Sequence, residues 1–194
     1  IYFFFFFFPF IYQGQEIGMT NVKWKNIHDM DDLFSFITYE EAVGQGKDPD
    51  EVLAYFSELG RDDARAPMQW DDSENGGFTC GKPWIKCNDN YRTINVQSEV
   101  NDPDSLYNYY KRLIQCYHDH ADIVRQAEFR PMYEEYPGLF AYEREVDGKG
   151  LLVIVNFTNE KLMFQKIDQK CVLCNYHETE SEWLQPYEAR IYSK

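Results

Sequence analysis

The sequence predicts an α/β segment followed by a small all-β domain, and three observations carry that prediction. Near the start a short unbroken apolar run, Pro9-Phe10-Ile11-Tyr12, ends in polar residues and a glycine, the pattern of a strand buried on both faces beneath helices. Helical periodicity governs residues 29–60 and 106–120. From about residue 128 the period changes to short alternating runs separated by turn residues, as in a small antiparallel β-sandwich. The boundary therefore falls near residue 124, giving segments 1–123 and 124–194.

Each element has a local reason. Gln13-Gly14-Gln15-Glu16 follows the first strand, and polar groups just past such a strand are where α/β barrels place active sites. Thr38 to Val43 reads as one acidic helix, and Asp48-Pro49-Asp50-Glu51 opens another, with a capping Asp and a Pro in the first turn. The Asp and Glu residues of 29–51 read as a solvated face. Residues 61–100 keep no period and carry Gly, Pro and Asn throughout, and a long irregular stretch inside a domain is usually functional. Asn101-Asp-Pro-Asp-Ser105 then caps a helix over 106–120, where Leu106, Tyr109, Tyr110, Leu113, Ile114 and Tyr117 share one face. Strands are expected at 128–133, 138–144, 151–157, 161–165, 170–175 and 187–192. Asp147-Gly148 and Thr158-Asn159-Glu160 serve as turns between them.

Composition narrows the function classes. The net charge is −14, from 19 basic against 33 acidic residues, which argues against nucleic acid and anionic membranes as partners. A neutral, hydroxyl-rich ligand suits that balance. The five cysteines form an odd, unpatterned set, read as reduced thiols of a cytoplasmic protein. Cys171-Val-Leu-Cys174 has the spacing of half a zinc site, but only His177 stands nearby; its apolar neighbours suit a strand, and neither metal nor organic cofactor is expected. The phenylalanine run from Phe3 to Phe8 is too short to span a bilayer and reads as the edge of a longer sequence, with residues 1–8 set aside.

The most informative chemistry lies in Arg61-Asp-Asp-Ala-Arg65-Ala-Pro-Met-Gln-Trp70-Asp-Asp72, Asn75-Gly-Gly-Phe-Thr79 and Gly81-Lys-Pro-Trp84. Forked donors, acceptors and flat aromatic faces in one loop are what a polyhydroxylated ring requires. Arg65 lies between alanines, leaving its guanidinium unhindered to hold vicinal hydroxyls; the alternative is a structural arginine bonded to an Asp or a carbonyl. Arg61-Asp62-Asp63 is expected to form local ion pairs that fix the loop. Trp70 and Trp84 either stack on a sugar or pack beneath the loop. Glu16 is a lone carboxylate, whereas glycosidic hydrolysis uses two; no catalytic pair, Ser/His/Asp set, phosphate loop or metal cluster is legible.

Three blocks resemble the C-terminal part of glycoside hydrolase family 13, closest to its oligo-1,6-glucosidase and α-glucosidase branch, which also holds trehalose-6-phosphate hydrolases. They are Pro9-Phe-Ile-Tyr-Gln-Gly-Gln-Glu-Ile-Gly-Met-Thr-Asn21, the loop Arg61 to Asp71 with Gly77-Phe-Thr79 and Pro83-Trp84-Ile85, and Asn90-Tyr91 with Ile94-Asn95-Val96 and the helix opened by Asp102-Pro-Asp-Ser105. The chain departs at Phe7-Phe8, where Gly-Thr is usual, and at Ala66, where Thr is usual.

The resemblance implies the end of a (β/α)8 TIM barrel, with its last strand, long loop and last helices, then a β-sandwich. It implies a retaining glycosidase acting on small oligosaccharides, whose nucleophile, acid/base and stabilising carboxylates sit on earlier strands, so that no catalytic residue lies in this chain. Arg65 matches the arginine that binds the sugar on the non-reducing side of the scissile bond. Gln13, Glu16, Arg61 and Asp62 match positions that support the site. The remaining partner implied is the N-terminal part of its own barrel. Two other readings stand beside this one: a non-enzymatic relative like the heavy chains of amino-acid transporters, and a carbohydrate-binding β-module.

Overall fold

The computed structural model describes residues 9–177 and 182–194; the phenylalanine run lies outside the described residues. The described residues divide into two compact units, Ile11–Asn108 and, with residues 9–10, Tyr109–Lys194. No helix among the described residues is long and apolar enough to cross a membrane.

The first unit is made of helices and irregular chain. Helix α1 (Leu33–Gly44) starts where the Asp32 carboxylate accepts from the Ser35 amide at 3.0 Å. Helix α2 (Pro49–Leu59) starts at Asp48, whose side chain accepts from the Asp50 and Glu51 amides, with Pro49 in the first turn, as its sequence requires. Val52, Leu53 and Phe56 on one face of α2 pack with Val22, Trp24, Ile27, Met30, Ala66 and Ile85. That cluster is the core of the unit, and a run of 3-10 turns hangs from it. The stretch 61–100 also holds a helix the pattern missed, α3 (Val96–Asn101), capped by Asn95. Six residues are too few to show a period.

The strand expected at Pro9–Tyr12 does not form. This segment carries no ladder, and Phe10 is 88% exposed. An extended segment becomes a strand only when neighbours take its amides and carbonyls, and among the described residues of Ile11–Asn108 there is no strand.

The second unit is a pair of antiparallel sheets with helices. Strands β1 (Glu128–Met132), β2 (Leu139–Val146), β3 (Lys149–Asn156), β5 (Lys170–Cys174) and β7 (Ala189–Ser193) form one sheet in the order β1-β2-β3-β7-β5. β4 (Leu162–Met163) and β6 (Trp183–Leu184) form a second. β6 was not legible in advance, because two residues give no alternation. β2 and β3 meet at Val146↔Lys149 across Asp147 and Gly148, whose φ values of 51° and 75° give the doubly left-handed turn that matches strand twist.

Central strand β3 is apolar from Leu151 to Val155 because both of its faces are buried. Leu151, Val153 and Val155 face a cluster with Leu113, Tyr117, Ile123 and Val124, from helices α4 (Leu106–Asp119) and α5 (Ala121–Gln126). Leu152 and Ile154 face a second cluster with Phe164, just past β4, and Leu184 of β6. Both faces of the sheet are therefore covered. Cys171 and Cys174 lie on β5 as free thiols, and Cys174 Sγ donates to Glu188 Oε1 at 3.4 Å.

Candidate functional site

The loop opens with a 3-10 turn, Arg61–Arg65. With three residues per turn, side chains at i and i+3 eclipse one another, so Asp62 and Arg65 meet. Arg65 Nη2 bonds Asp62 Oδ1 and stands 3.7 Å from Asp32 Oδ1. The Asp62 carboxylate is completely buried, and its Oδ2 accepts from the backbone amides of Asp31 (2.7 Å) and Asp32 (3.0 Å). Each oxygen of Asp62 thus has charged or amide partners, the condition under which a buried charge is tolerated.

Two expectations change here. Arg61 makes no ion pair among the described residues and is exposed; the 3-10 geometry gives Asp62 to Arg65 instead. Nor is Arg65 unhindered, since only 30% of its side chain is exposed and its Nε is buried without a partner. The guanidinium carbon lies 5.3 Å from the Trp84 ring centroid, within cation–π range. One side of the fork is held by carboxylate and indole, and the side chain as a whole stays partly exposed.

Asp63 braces the turn from the other side. Its Oδ1 accepts from Val22 N at 2.9 Å and Trp24 Nε1 at 3.1 Å, tying the turn to the core segment. Burial pushes its carboxyl up to about 6 despite those two bonds. Tyr12 Oη donates to Ala64 O at 2.7 Å. Asp32 was read as part of a solvated face; instead its side chain is 11% exposed, caps α1 and faces Arg65. The signal for it was Ser35 three residues on, a spacing typical of an N-cap.

Beyond Ala66 the loop doubles back. Trp70 N donates to Gly76 O at 2.7 Å, and Gln97 N to Trp70 O at 3.0 Å. Asn75, Gly76 and Gly77 have φ of 55°, 63° and 67°, a left-handed run only Gly and Asn adopt cheaply. A Cβ on Gly77 would sit 2.6 Å from Asp71 Oδ2. Gln69, fully buried, bonds Ile94 O through Nε2. Trp70 and Trp84 are both exposed, Trp84 at 67%, so neither packs beneath the loop.

Gln13 and Glu16 lie on the other side of the turn. Gln13 lines a cavity of about 500 Å³ with Tyr12, Asp63, Ala64 and Ala66. Glu16 sits in the 3-10 turn Gln15–Ile17, with Oε2 buried and unbonded. No hydrogen bond or ion pair joins either residue to Arg65 among the described residues. The structure therefore brings together Asp32, Asp62, Arg65 and Trp84, and leaves Arg61, Gln13 and Glu16 outside that group.

Residues 3–127 match the family model of the α-amylase catalytic domain. The chain belongs to the α-amylase family. Within that family it is 42% identical over 196 residues to an oligo-1,6-glucosidase of Parageobacillus thermoglucosidasius, covering 95% of this chain and 35% of that protein. It is 38% identical over 189 residues to a trehalose-6-phosphate hydrolase of Escherichia coli, covering 93% and 34% respectively. The fold superposes on the crystal structure of Bacillus licheniformis trehalose-6-phosphate hydrolase with a TM-score of 0.85 at 34% identity, over 95% of this chain and 35% of that one. This α-amylase family chain thus spans about a third of the length of the relatives it matches.

Proposed function

We propose that the chain is the C-terminal portion of a cytoplasmic, retaining α-glucosidase that hydrolyses short isomalto- or malto-oligosaccharides. Residues 1–123 complete a (β/α)8 barrel and 124–194 form its β-sandwich. The chain supplies one wall of the sugar site, and the catalytic carboxylates come from the rest of the protein. Arg65 contacts the sugar hydroxyls, and Asp62 holds its guanidinium in place. Gln13 and Glu16 support the loop from outside this pair.

The observation that carries this reading is the Arg65 guanidinium, anchored on buried Asp62 and lying against exposed Trp84. An anchored fork that stays partly exposed is already ordered for a diol, which lowers the entropy cost of binding. The exposed apolar residues Phe10, Leu33 and Phe34 agree with further protein surface covering them. Oligo-1,6-glucosidases among the relatives favour a neutral oligosaccharide. The E. coli relative and the 0.85 superposition favour a second reading, a trehalose-6-phosphate hydrolase.

Two assays test the proposal. The 194-residue chain alone should not hydrolyse a nitrophenyl α-glucoside, and turnover by it would overturn the division of labour. Residues 9–194, grafted onto the preceding two-thirds of the Parageobacillus enzyme, should give an isomaltose-cleaving chimera. A chimera active on trehalose 6-phosphate and not on isomaltose would select the second reading.

A further inference from the structure

Cys171-Val-Leu-Cys174 is a motif that the sugar site leaves unused. In a regular strand, residues three apart point to opposite faces of the sheet. Strand β5 is not regular. Its partners on β7 run Cys171↔Tyr192, Leu173↔Ile191 and Cys174↔Arg190, with a shift between Cys171 and Leu173. Val172 is therefore an extra residue, a β-bulge, and it resets the alternation. Cys171 and Cys174 then stand opposite Tyr192 and Arg190, which are two apart and share a face: Arg190 Nη1 donates to Tyr192 Oη at 3.4 Å. The two cysteine Cα atoms are thus separated by a two-residue repeat, about 6.6 Å, within the span that a disulfide bridges.

The same face carries a carboxylate. Cys174 Sγ donates to Glu188 Oε1 at 3.4 Å, and that oxygen also accepts from Arg190 Nε at 2.6 Å. Cys171 packs against the cluster of Leu152, Ile154 and Tyr192, whereas Cys116 belongs to the cluster on the other face of the sheet. Burial pushes both thiols up, Cys174 to about 12; backbone hydrogen bonding at Leu173 and the Arg190 charge draw Cys171 partway back. Cys171 is therefore the thiol that ionises first, and the thiolate is the reactive form.

We infer that Cys171 and Cys174 are a reversible dithiol–disulfide pair, oxidised by hydrogen peroxide and closed within the single bulged strand β5. The Cys171 thiolate attacks a peroxide oxygen, the O–O bond breaks, and Cys171 becomes a sulfenic acid as hydroxide leaves. Cys174 sulfur then displaces the sulfenic hydroxide to form the S–S bond. Its proton, held towards Glu188, leaves with that hydroxide as water. Two thiols lose two hydrogens, and one peroxide becomes two waters. Glu188 keeps Arg190 and the Gln185 amide in either state, so closure leaves the core of the sheet in place. Pairs that cycle in this way are the form disulfides take in reducing compartments.

The test is peptide mass spectrometry on the intact 194-residue chain, treated with hydrogen peroxide while folded, then alkylated and digested with trypsin. Cleavage after Lys170 and Arg190 puts both sulfurs in one peptide, 171–190. That peptide should be two hydrogens lighter and unalkylated, and dithiothreitol should restore its alkylation. Cys174→Ser should instead leave a sulfenic acid at Cys171 that dimedone traps. Phenylarsine oxide, which bridges neighbouring thiols, should shield both cysteines of the wild type from alkylation, a reading that needs no variant to fold. Two alkylated cysteines after peroxide, a bond from either one to Cys116, or sulfinic acid in place of the bridge would overturn the inference. So would alkylation that phenylarsine oxide leaves unaltered.

Discussion

In Tyr109–Lys194 the chain is held by a ladder of strands with apolar side chains on both faces of β3. In Ile11–Asn108 it is held by polar side chains reaching the backbone: Asp62 to residues 31 and 32, Asp63 to residue 22, Asn88 to residues 20 and 21, Gln69 to residue 94. The sheet distributes its stability over many similar contacts. The loop unit adds to its apolar core a set of buried polar groups that tie irregular chain to it, each with its own geometry. Irregular backbone is what can carry a site such as Arg65, and buried polar tethers are what make that backbone rigid.

That contrast can be broken at single residues, and the largest effect belongs to the loop. Asp62→Ala should strand two backbone amides and the Arg65 guanidinium, costing about 3–5 kcal/mol, read as a loss of urea resistance in the loop unit. A smaller cost would mean that the Asp62 tethers are redundant. In the sheet, Leu151→Ala should cost about 3 kcal/mol through a buried cavity and lower the melting temperature without altering ligand contacts at Arg65.

Asp63 offers a sharper test through pH. Its folded carboxyl titrates near 6, above the ordinary carboxylate value of 3.8, so the folded chain binds the proton more tightly than the unfolded chain. The stabilisation is complete below about pH 4 and is lost as pH rises to about 6. Urea midpoints should fall over that window, and Asp63→Asn should flatten the fall; an unchanged slope would show that this carboxyl does not titrate there. The smallest effect is expected at Arg61, exposed and without an ion pair among the described residues, where Arg61→Ala should shift stability by less than about 0.5 kcal/mol.

How much was legible followed from periodicity. Helices α2 and α4 and strands β1, β2, β3, β5 and β7 declare themselves through caps, stripes and alternation, because each is long enough to bury a face, whereas α1 was expected only over Thr38–Val43 and begins at Leu33. α3, α5 and β6 are too short for that, and β4 keeps only Leu162–Met163 of the strand expected at 161–165. Pro9–Tyr12 shows the reverse case: an apolar run states a need for burial, but pairing decides whether a strand exists.

At the site, the loop containing Arg65 stood out by composition, and its partner did not. Adjacent Arg61 and Asp62 invited an ion pair. The 3-10 turn gives Asp62 to Arg65 instead, and a turn type set by the surrounding core cannot be read from five residues. Asp32 was hidden in the same way, as one acid among many until α1 fixed it as a cap.

The central claim is that Arg65, anchored by Asp62, contacts the sugar. Its most direct test is kcat/KM for isomaltose in the chimera carrying Arg65→Ala. A loss of about 100-fold with an unchanged melting temperature is expected, as for removing a charged hydrogen-bonding group from bound substrate. Activity within twofold of the parent chimera would show Arg65 to be a structural arginine and contradict the account.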